Sequence, residues 1–340
     1  MKKLIVLLLT GCLFSGRADA YGPRGHHLVG AIADRRLANK PVAGKINQLL
    51  DGLSLETAAQ LPDDIKDWDT CGQKREPVNG SKRIKAELRA FLDANPCNGH
   101  PSHLEFHYTD VPVAGTEKYA DGTVGRSEFD IVQMISFCVR VLEGQEPETN
   151  DRAITKSVAV ILLAHYLGDI HQPLHVGAEY FDAGGHPFEP TPNHQGFADQ
   201  GGNMLDLYTF YQGDKKFAGV FHGYWDGQTV ENAFGKASMS TIASKLAKSE
   251  PSSWKLQGDV ETWARQMADE IMPLAREAHE RLEFKSIKLT AGNHDISSGR
   301  AEEKKNGGGK YYAVWAYETV KDEIHKAGWR LAALLEEALQ

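Results

Sequence analysis

The sequence predicts an all-α fold, and three observations predict it. Most periodic segments repeat apolar residues every three to four positions, the helical period. The stretch 158–167 is apolar nearly all round except at His165, the pattern of a helix buried on every side. Strand patterns are scarce, and no strand–helix alternation of a doubly wound sheet is present.

The elements follow in order. Residues 1–20 read as a secretory signal and not as part of the fold. Lys2 and Lys3 form a basic start, 4–14 is an apolar run too short to span a bilayer, and Ala18–Asp19–Ala20 is a small–any–small cleavage pattern. Leu9–Thr10–Gly11–Cys12 also resembles a lipoprotein processing site, so a lipidated Cys12 is the alternative. Helices are expected over 26–39, 42–52, 83–94, 126–143 and 151–171, then over 229–249, 257–285 and 310–339. Residues 104–108 are expected to be a short extended piece. Loops are expected over 77–81, 178–202 and 291–309, the last ending in Gly307–Gly308–Gly309. No repeat and no Pro/Gly linker is present, so residues 21–340 are read as one domain that is long enough to bury a sizeable core.

Composition excludes several classes. The 340 residues are 41% apolar and 25% charged, which is neither disordered nor fibrous. Only Cys71, Cys97 and Cys138 follow the signal, too few for a disulfide scaffold. In an exported chain Cys71 and Cys97 are expected to pair, and Cys138, on an apolar helix, to be a buried free thiol. The net charge of −8 excludes a generally basic nucleic-acid binder. Any polyanion must be attracted locally.

The chemistry lies in His and Asp residues at helical spacing. His165 and Asp169 stand four apart on the central helix and point the same way. An imidazole and a carboxylate on an apolar helix are costly to bury unless something satisfies them, and a metal would. Pro173 breaks that helix and His175 follows. His222 and Asp226 repeat the spacing. His107, His26 and Asp63 add further nitrogen and oxygen donors. Singly each is weak; together they suit zinc ligation.

These residues resemble a family. The order Gly25–His26, Pro62–Asp63–Asp64, His107–Tyr108–Thr109–Asp110, the run from His165 to His175, Gly201–Gly202–Asn203, and His222 with Asp226 is similar to the zinc-dependent single-strand nucleases of the S-one and P-one type. The resemblance runs from Tyr21 to the last helix. It implies a mostly helical fold, three zinc ions in a cleft, and hydrolysis of single-stranded DNA and RNA to 5′-phosphorylated products, with 3′-nucleotidase activity. It implies that Asp63, His107, His165 and Asp169 hold one zinc and that His175, His222 and Asp226 hold a second. Tyr21, through its α-amine and carbonyl, and His26 would hold a third, bridged by Asp169. Asp63 would also orient the attacking water. Tyr108 would stack a base, Asp110 would accept from its edge, and Lys66 would contact phosphate. Three dications against three Asp would make a local positive well in an acidic chain. The family usually opens with Trp where this chain has Tyr21, and segments 67–103 and 178–200 are longer excursions than it needs. His171, His186 and His194 are read as supporting or exposed histidines.

Two other functions compete. A zinc phospholipase C shares the three-metal plan but would carry Glu at the position of Asp226. A non-catalytic secreted metal-binding protein would show no hydrolysis. No stable protein partner and no membrane span is expected, and the chain is read as a secreted or periplasmic monomer.

Overall fold

The computed structural model describes residues 21–68, 79–248, 251–305 and 309–340. The expected signal segment 1–20, with Cys12, lies outside the described residues, as does Cys71 of the expected disulfide. The helices are α1 Gly22–Leu37, α2 Val42–Leu49, α3 Leu55–Ala58, α4 Leu61–Asp64, α5 Lys82–Ala94, α6 Ile131–Glu143, α7 Lys156–Asp169, α8 Phe221–Gly223, α9 Thr229–Phe234, α10 Met239–Leu246, α11 Trp263–Glu280 and α12 Tyr312–Ala338. The fold is mostly helical, as expected.

Local chemistry sets the boundaries. Ser81, Asp130 and Thr155 each accept a backbone N–H at the start of α5, α6 and α7. The Asp130 cap explains why the helix expected from 126 begins at Ile131. The expected 229–249 helix is two helices. Gly235, at φ 54°, ends α9, and Ser238 caps α10. Helix α7 is buried from Ser157 to Asp169, so the all-round apolar stretch is the central helix. It packs against α1, α6 and α12. Cys138, on α6, is a buried free thiol. Helix α1 is wedged between neighbours. A Cβ on Gly30 would come within 2.2 Å of the Leu55 carbonyl oxygen, and one on Gly328 of α12 within 2.6 Å of Ile32 Cβ.

The strands are where the structure departs from expectation. Short pairs are formed by β1 Val111–Pro112 with β2 Gly177–Ala178, and by β3 Tyr180–Phe181 with β4 Phe197–Ala198. A larger sheet has β5 Leu205–Tyr211, β6 Asp214–Val220, β7 Leu282–Leu289 and β8 Ile296–Glu303 in the order β6-β5-β8-β7. The β5–β8 pair is parallel, with Leu205 opposite Gly299; its flanking pairs are antiparallel. The expected 257–285 helix therefore stops at Glu280, and Leu282 opens a strand. The expected loop 291–309 contains β8. The expected extended piece at 104–108 is instead a 3₁₀ turn, His103–His107. Ser102 accepts from Leu104 N at 3.1 Å, and Glu105 returns the bond to Ser102 N at 2.9 Å.

Candidate metal centre

Helix α7 supplies the first side chains. His165 Nδ1 donates to the Ala59 carbonyl at 2.8 Å, since a carbonyl only accepts. That leaves Nε2 as the lone-pair nitrogen, 3.2 Å from Asp169 Oδ2 and 3.6 Å from Asp63 Oδ1. His107, at the end of its 3₁₀ turn, brings Nδ1 to 2.9 Å from Asp169 Oδ2 and 3.0 Å from His165 Nε2. His26, on α1, brings Nε2 to 3.3 Å from Asp169 Oδ1 and 3.9 Å from Asp63 Oδ2. Asp169 thus faces His26 with one oxygen and His107 and His165 with the other. Gly168 makes the room: a Cβ there would meet His26 Nδ1 at 2.9 Å.

The chain then turns. Gln172 accepts from Leu174 N, and the Pro173–His175 3₁₀ turn swings His175 back toward His222. His222 opens a helical stretch that widens to a π turn at Tyr224–Gln228, carrying Asp226. His175 Nδ1 donates to the His107 carbonyl at 2.8 Å, and His222 Nδ1 to the Gly201 carbonyl at 2.7 Å. Their Nε2 atoms face each other at 3.0 Å, and Asp226 Oδ2 lies 3.2 Å from His222 Nε2. In the neutral rings these are two lone pairs beside a carboxylate.

Burial sets the electrostatics. It pushes His26, His107 and His222 down to about 3, helped by the neighbouring charge of His165, Lys66 and His175 respectively. Burial also lowers His175. For His165 burial pulls down, but Asp169 and Asp63 outweigh it and the ring is raised. Burial pushes Asp63 and Asp169 up, yet both are held well below the usual carboxylate range. Lys66 and His165 do this for Asp63, and His165 and His107 for Asp169.

The residues fit a metal. Both ring nitrogens of His26, Asp63 Oδ2 and Asp169 Oδ1 are buried and make no hydrogen bond among the described residues. Each such atom costs about 1–3 kcal/mol if nothing satisfies it. Three groups converge within ligating range: His26, Asp63 and His165; His107, His165 and Asp169; His175, His222 and Asp226. Imidazole nitrogen with carboxylate oxygen is a donor set for a divalent transition metal. Tyr21 is at the start of α1. Its N donates to Asp226 Oδ1 at 3.3 Å and its hydroxyl to the His171 carbonyl. Its nitrogen therefore lies beside the second expected ligand set, while His26 lies beside Asp169.

A cleft of about 430 Å³ opens over these groups. Lys66, His107, Tyr108, Asp110, His175 and His222 line it, so the expected substrate residues share it with the ligands. The Tyr108 ring is 41% exposed, so it is not core packing. Lys66 is committed to Asp63 at 2.6 Å. Burial, with Asp199 and Asp295, pushes Asp110 up to about 8. Among the described residues three larger hollows, of about 820, 530 and 500 Å³, lie elsewhere and contain none of the three convergent groups. The chemistry, not the volume, picks out the site. His186 and His194 are exposed. His171 is buried, with Nδ1 on the Leu167 carbonyl and Nε2 accepting from Arg330 at 3.1 Å.

Two residues were missed from the sequence. Gln172 donates to Asp226 Oδ1 at 2.9 Å, and Asp295 lines the cleft. Gln172 lies within the His165–His175 run and could have been noticed there. Asp295 has no sequence signal.

A helical scaffold that gathers buried His and Asp around one cleft is that of a metal-binding protein with an open working face. The chain belongs to the S1/P1 nuclease family, whose model matches residues 21–340. That family is metal-dependent. The chain is also similar to Endonuclease 1 of Arabidopsis thaliana, at 28% identity over 136 residues. The match covers 39% of this chain and spans 36% of that relative's length.

Proposed function

We propose that the protein is an exported zinc-dependent nuclease. It hydrolyses phosphodiester bonds of single-stranded DNA and RNA to 5′-phosphorylated products and acts as a 3′-nucleotidase. One observation carries the reading. The Nε2 atoms of His175 and His222 face each other at 3.0 Å beside Asp226, and two lone pairs and a carboxylate at that range call for a cation. Family membership supports nuclease chemistry, and the Arabidopsis relative carries an endonuclease name.

Three zinc ions are proposed. Asp63, His107, His165 and Asp169 hold one, and His175, His222 and Asp226 hold another. Tyr21, through its backbone groups, and His26 would hold the third, together with Asp169. When bound, such ions acidify water and offset the charge of a phosphate. The chain does the rest. Asp63 Oδ2 makes no hydrogen bond among the described residues and can accept one from the attacking water, while Lys66 fixes Oδ1. Tyr108 presents its ring for stacking, which reads any base and requires a splayed strand. Asp110 accepts from the base edge.

Residues 21–340 act as one domain, a reading supported by an apolar core that runs from Tyr21 to Leu339 among the described residues, and the expectation of a monomer is kept from the sequence. Cleavage after Ala20 places the protein outside the cell or in the periplasm. The test is metal analysis together with activity on single-stranded DNA, RNA, 3′-AMP and phosphatidylcholine. The proposal expects zinc and turnover of the first three substrates. Turnover of phosphatidylcholine alone would make it a phospholipase C; bound zinc without hydrolysis would make it a metal-binding protein.

A further inference from the structure

Neither segment 178–200 nor the β7–β8 hairpin contributes to the three convergent groups. The two are tied to each other beside the cleft. Ala198 N donates to the His294 carbonyl at 2.8 Å, and Ala198 pairs with Asp295 as an isolated parallel bridge. His294 Nδ1 donates to the Gly196 carbonyl at 3.1 Å. Phe181 and Phe284 pack edge to face, with centroids 5.4 Å apart. The tie continues to the cleft wall, where the Tyr180 hydroxyl donates to the Asp110 carbonyl at 2.8 Å. The turn of the hairpin is thus anchored to the backbone of Asp110.

The residue this arrangement delivers is Asp295, which lines the same cleft as Tyr108 and Asp110. Thr290 N donates to the Asp295 carbonyl at 3.0 Å, closing the turn. Asn293 Nδ2 donates to Asp295 Oδ2 at 3.1 Å. The turn therefore holds one carboxylate oxygen and leaves Oδ1 for a ligand. The charge of Asp295 also reaches across the cleft, where it helps raise Asp110 after burial and Asp199.

The geometry points to Asp295 as a specificity-determining residue that accepts a hydrogen bond from the exocyclic amino group of the base stacked on Tyr108. Adenine, through N6, and cytosine, through N4, carry such a donor. Uracil and thymine carry a carbonyl oxygen in its place, which a carboxylate repels. The protein therefore favours amino-bearing bases at this position. The inference rests on the nuclease reading of the cleft and deepens it.

The test compares kcat/KM for 3′-AMP, 3′-CMP and 3′-UMP in the zinc-loaded protein and in Asp295→Ala and Asp295→Asn. Adenosine and uridine are titrated calorimetrically into each. A hydrogen bond to a charged group predicts that the intact protein favours 3′-AMP and 3′-CMP over 3′-UMP by about tenfold. Asp295→Ala should bring that ratio to within about twofold by weakening the amino-bearing substrates. Asp295→Asn, whose amide can donate, should move the ratio toward 3′-UMP. Thermal melts of both variants check that the fold is kept. An unchanged ratio in Asp295→Ala, or equal affinity of the intact protein for adenosine and uridine, overturns the assignment. If no 3′-nucleotide is turned over by any form, the nuclease reading fails, and the nucleoside titrations still decide the role of Asp295.

Discussion

His26 and His165 stack face to face, with ring centroids 3.8 Å apart and planes 13° from parallel. Two buried imidazoles at that distance cannot both be cationic, and among the described residues no hydrogen bond holds the His26 ring in place. Something must orient it. Chelation of bound metal should therefore abolish hydrolysis and also loosen the fold, because α1, α4 and α7 each supply donors. Loss of tightly bound ions predicts a fall in Tm of roughly 5–15 °C. Calorimetry before and after chelation checks it. An unchanged Tm and full activity with no residual metal would sink the metal reading.

Asp169→Asn should be among the most damaging substitutions. It removes charge from the one carboxylate that faces His26 with one oxygen and His107 with the other. Activity should fall by more than about 100-fold, with metal content falling too. His186 and His194 are exposed, so His186→Ala and His194→Ala should shift stability by no more than about 0.5 kcal/mol. Steady-state rates and metal analysis of the three variants separate the cases.

Tyr108→Ala should raise KM for 3′-nucleotides more than it lowers kcat. Stacking is worth about 1–3 kcal/mol per base, much of it made before the transition state. Initial-rate kinetics on 3′-AMP give the split. A KM unchanged across substrates would leave the exposed ring without a role in binding.

Glu179 gives a pH test away from the expected ligands. Burial pushes its carboxyl up to about 7, with His279 opposing and Asp199 adding to the rise. The fold favours the protonated form, so the native state binds more protons than the unfolded one between 4.5 and about 7. The stability this brings is whole below 4.5, fades as pH rises and is gone above about 7. Glu179→Gln should then be more stable than the parent at pH 8, by about 1–3 kcal/mol, and no more stable at pH 4. Denaturant unfolding at the two pH values checks the sign. Destabilisation at pH 8 would mean that attraction to His279 outweighs burial.

The central helix and its His165–Asp169 pair were legible because both depend on local period alone. The same holds for His222 and Asp226, even though a π turn carries the second residue. The larger sheet was not legible. Leu205–Tyr211 does alternate, with Leu205, Leu207 and Thr209 buried, but its partner β8 lies some ninety positions away and was expected to be a loop. Pairing at that range is not written in either segment. The helix expected to reach 285 failed for the same reason: Leu282–Leu289 answers to β8, not to the helical period before it. Asp295 escaped because a docked hairpin, and no motif, puts it in the cleft. Lys66, expected to contact phosphate, lines the cleft, but its ion pair with Asp63 depends on a tight helical turn that spacing alone does not reveal.

Helix α1 presents His26, and Gly328 lets α12 press against it. α12 supplies none of the expected ligands, yet it forms one wall of the seat that holds a donor in place. It also leaves the ribosome long after His26 does, since the chain is made from its N-terminal side and α12 begins at Tyr312. On the nuclease reading, a half-made chain lacks that wall and cannot assemble its cutting centre. Synthesis order thus becomes a safety catch: the enzyme is not armed until α12 has been made and has docked on α1.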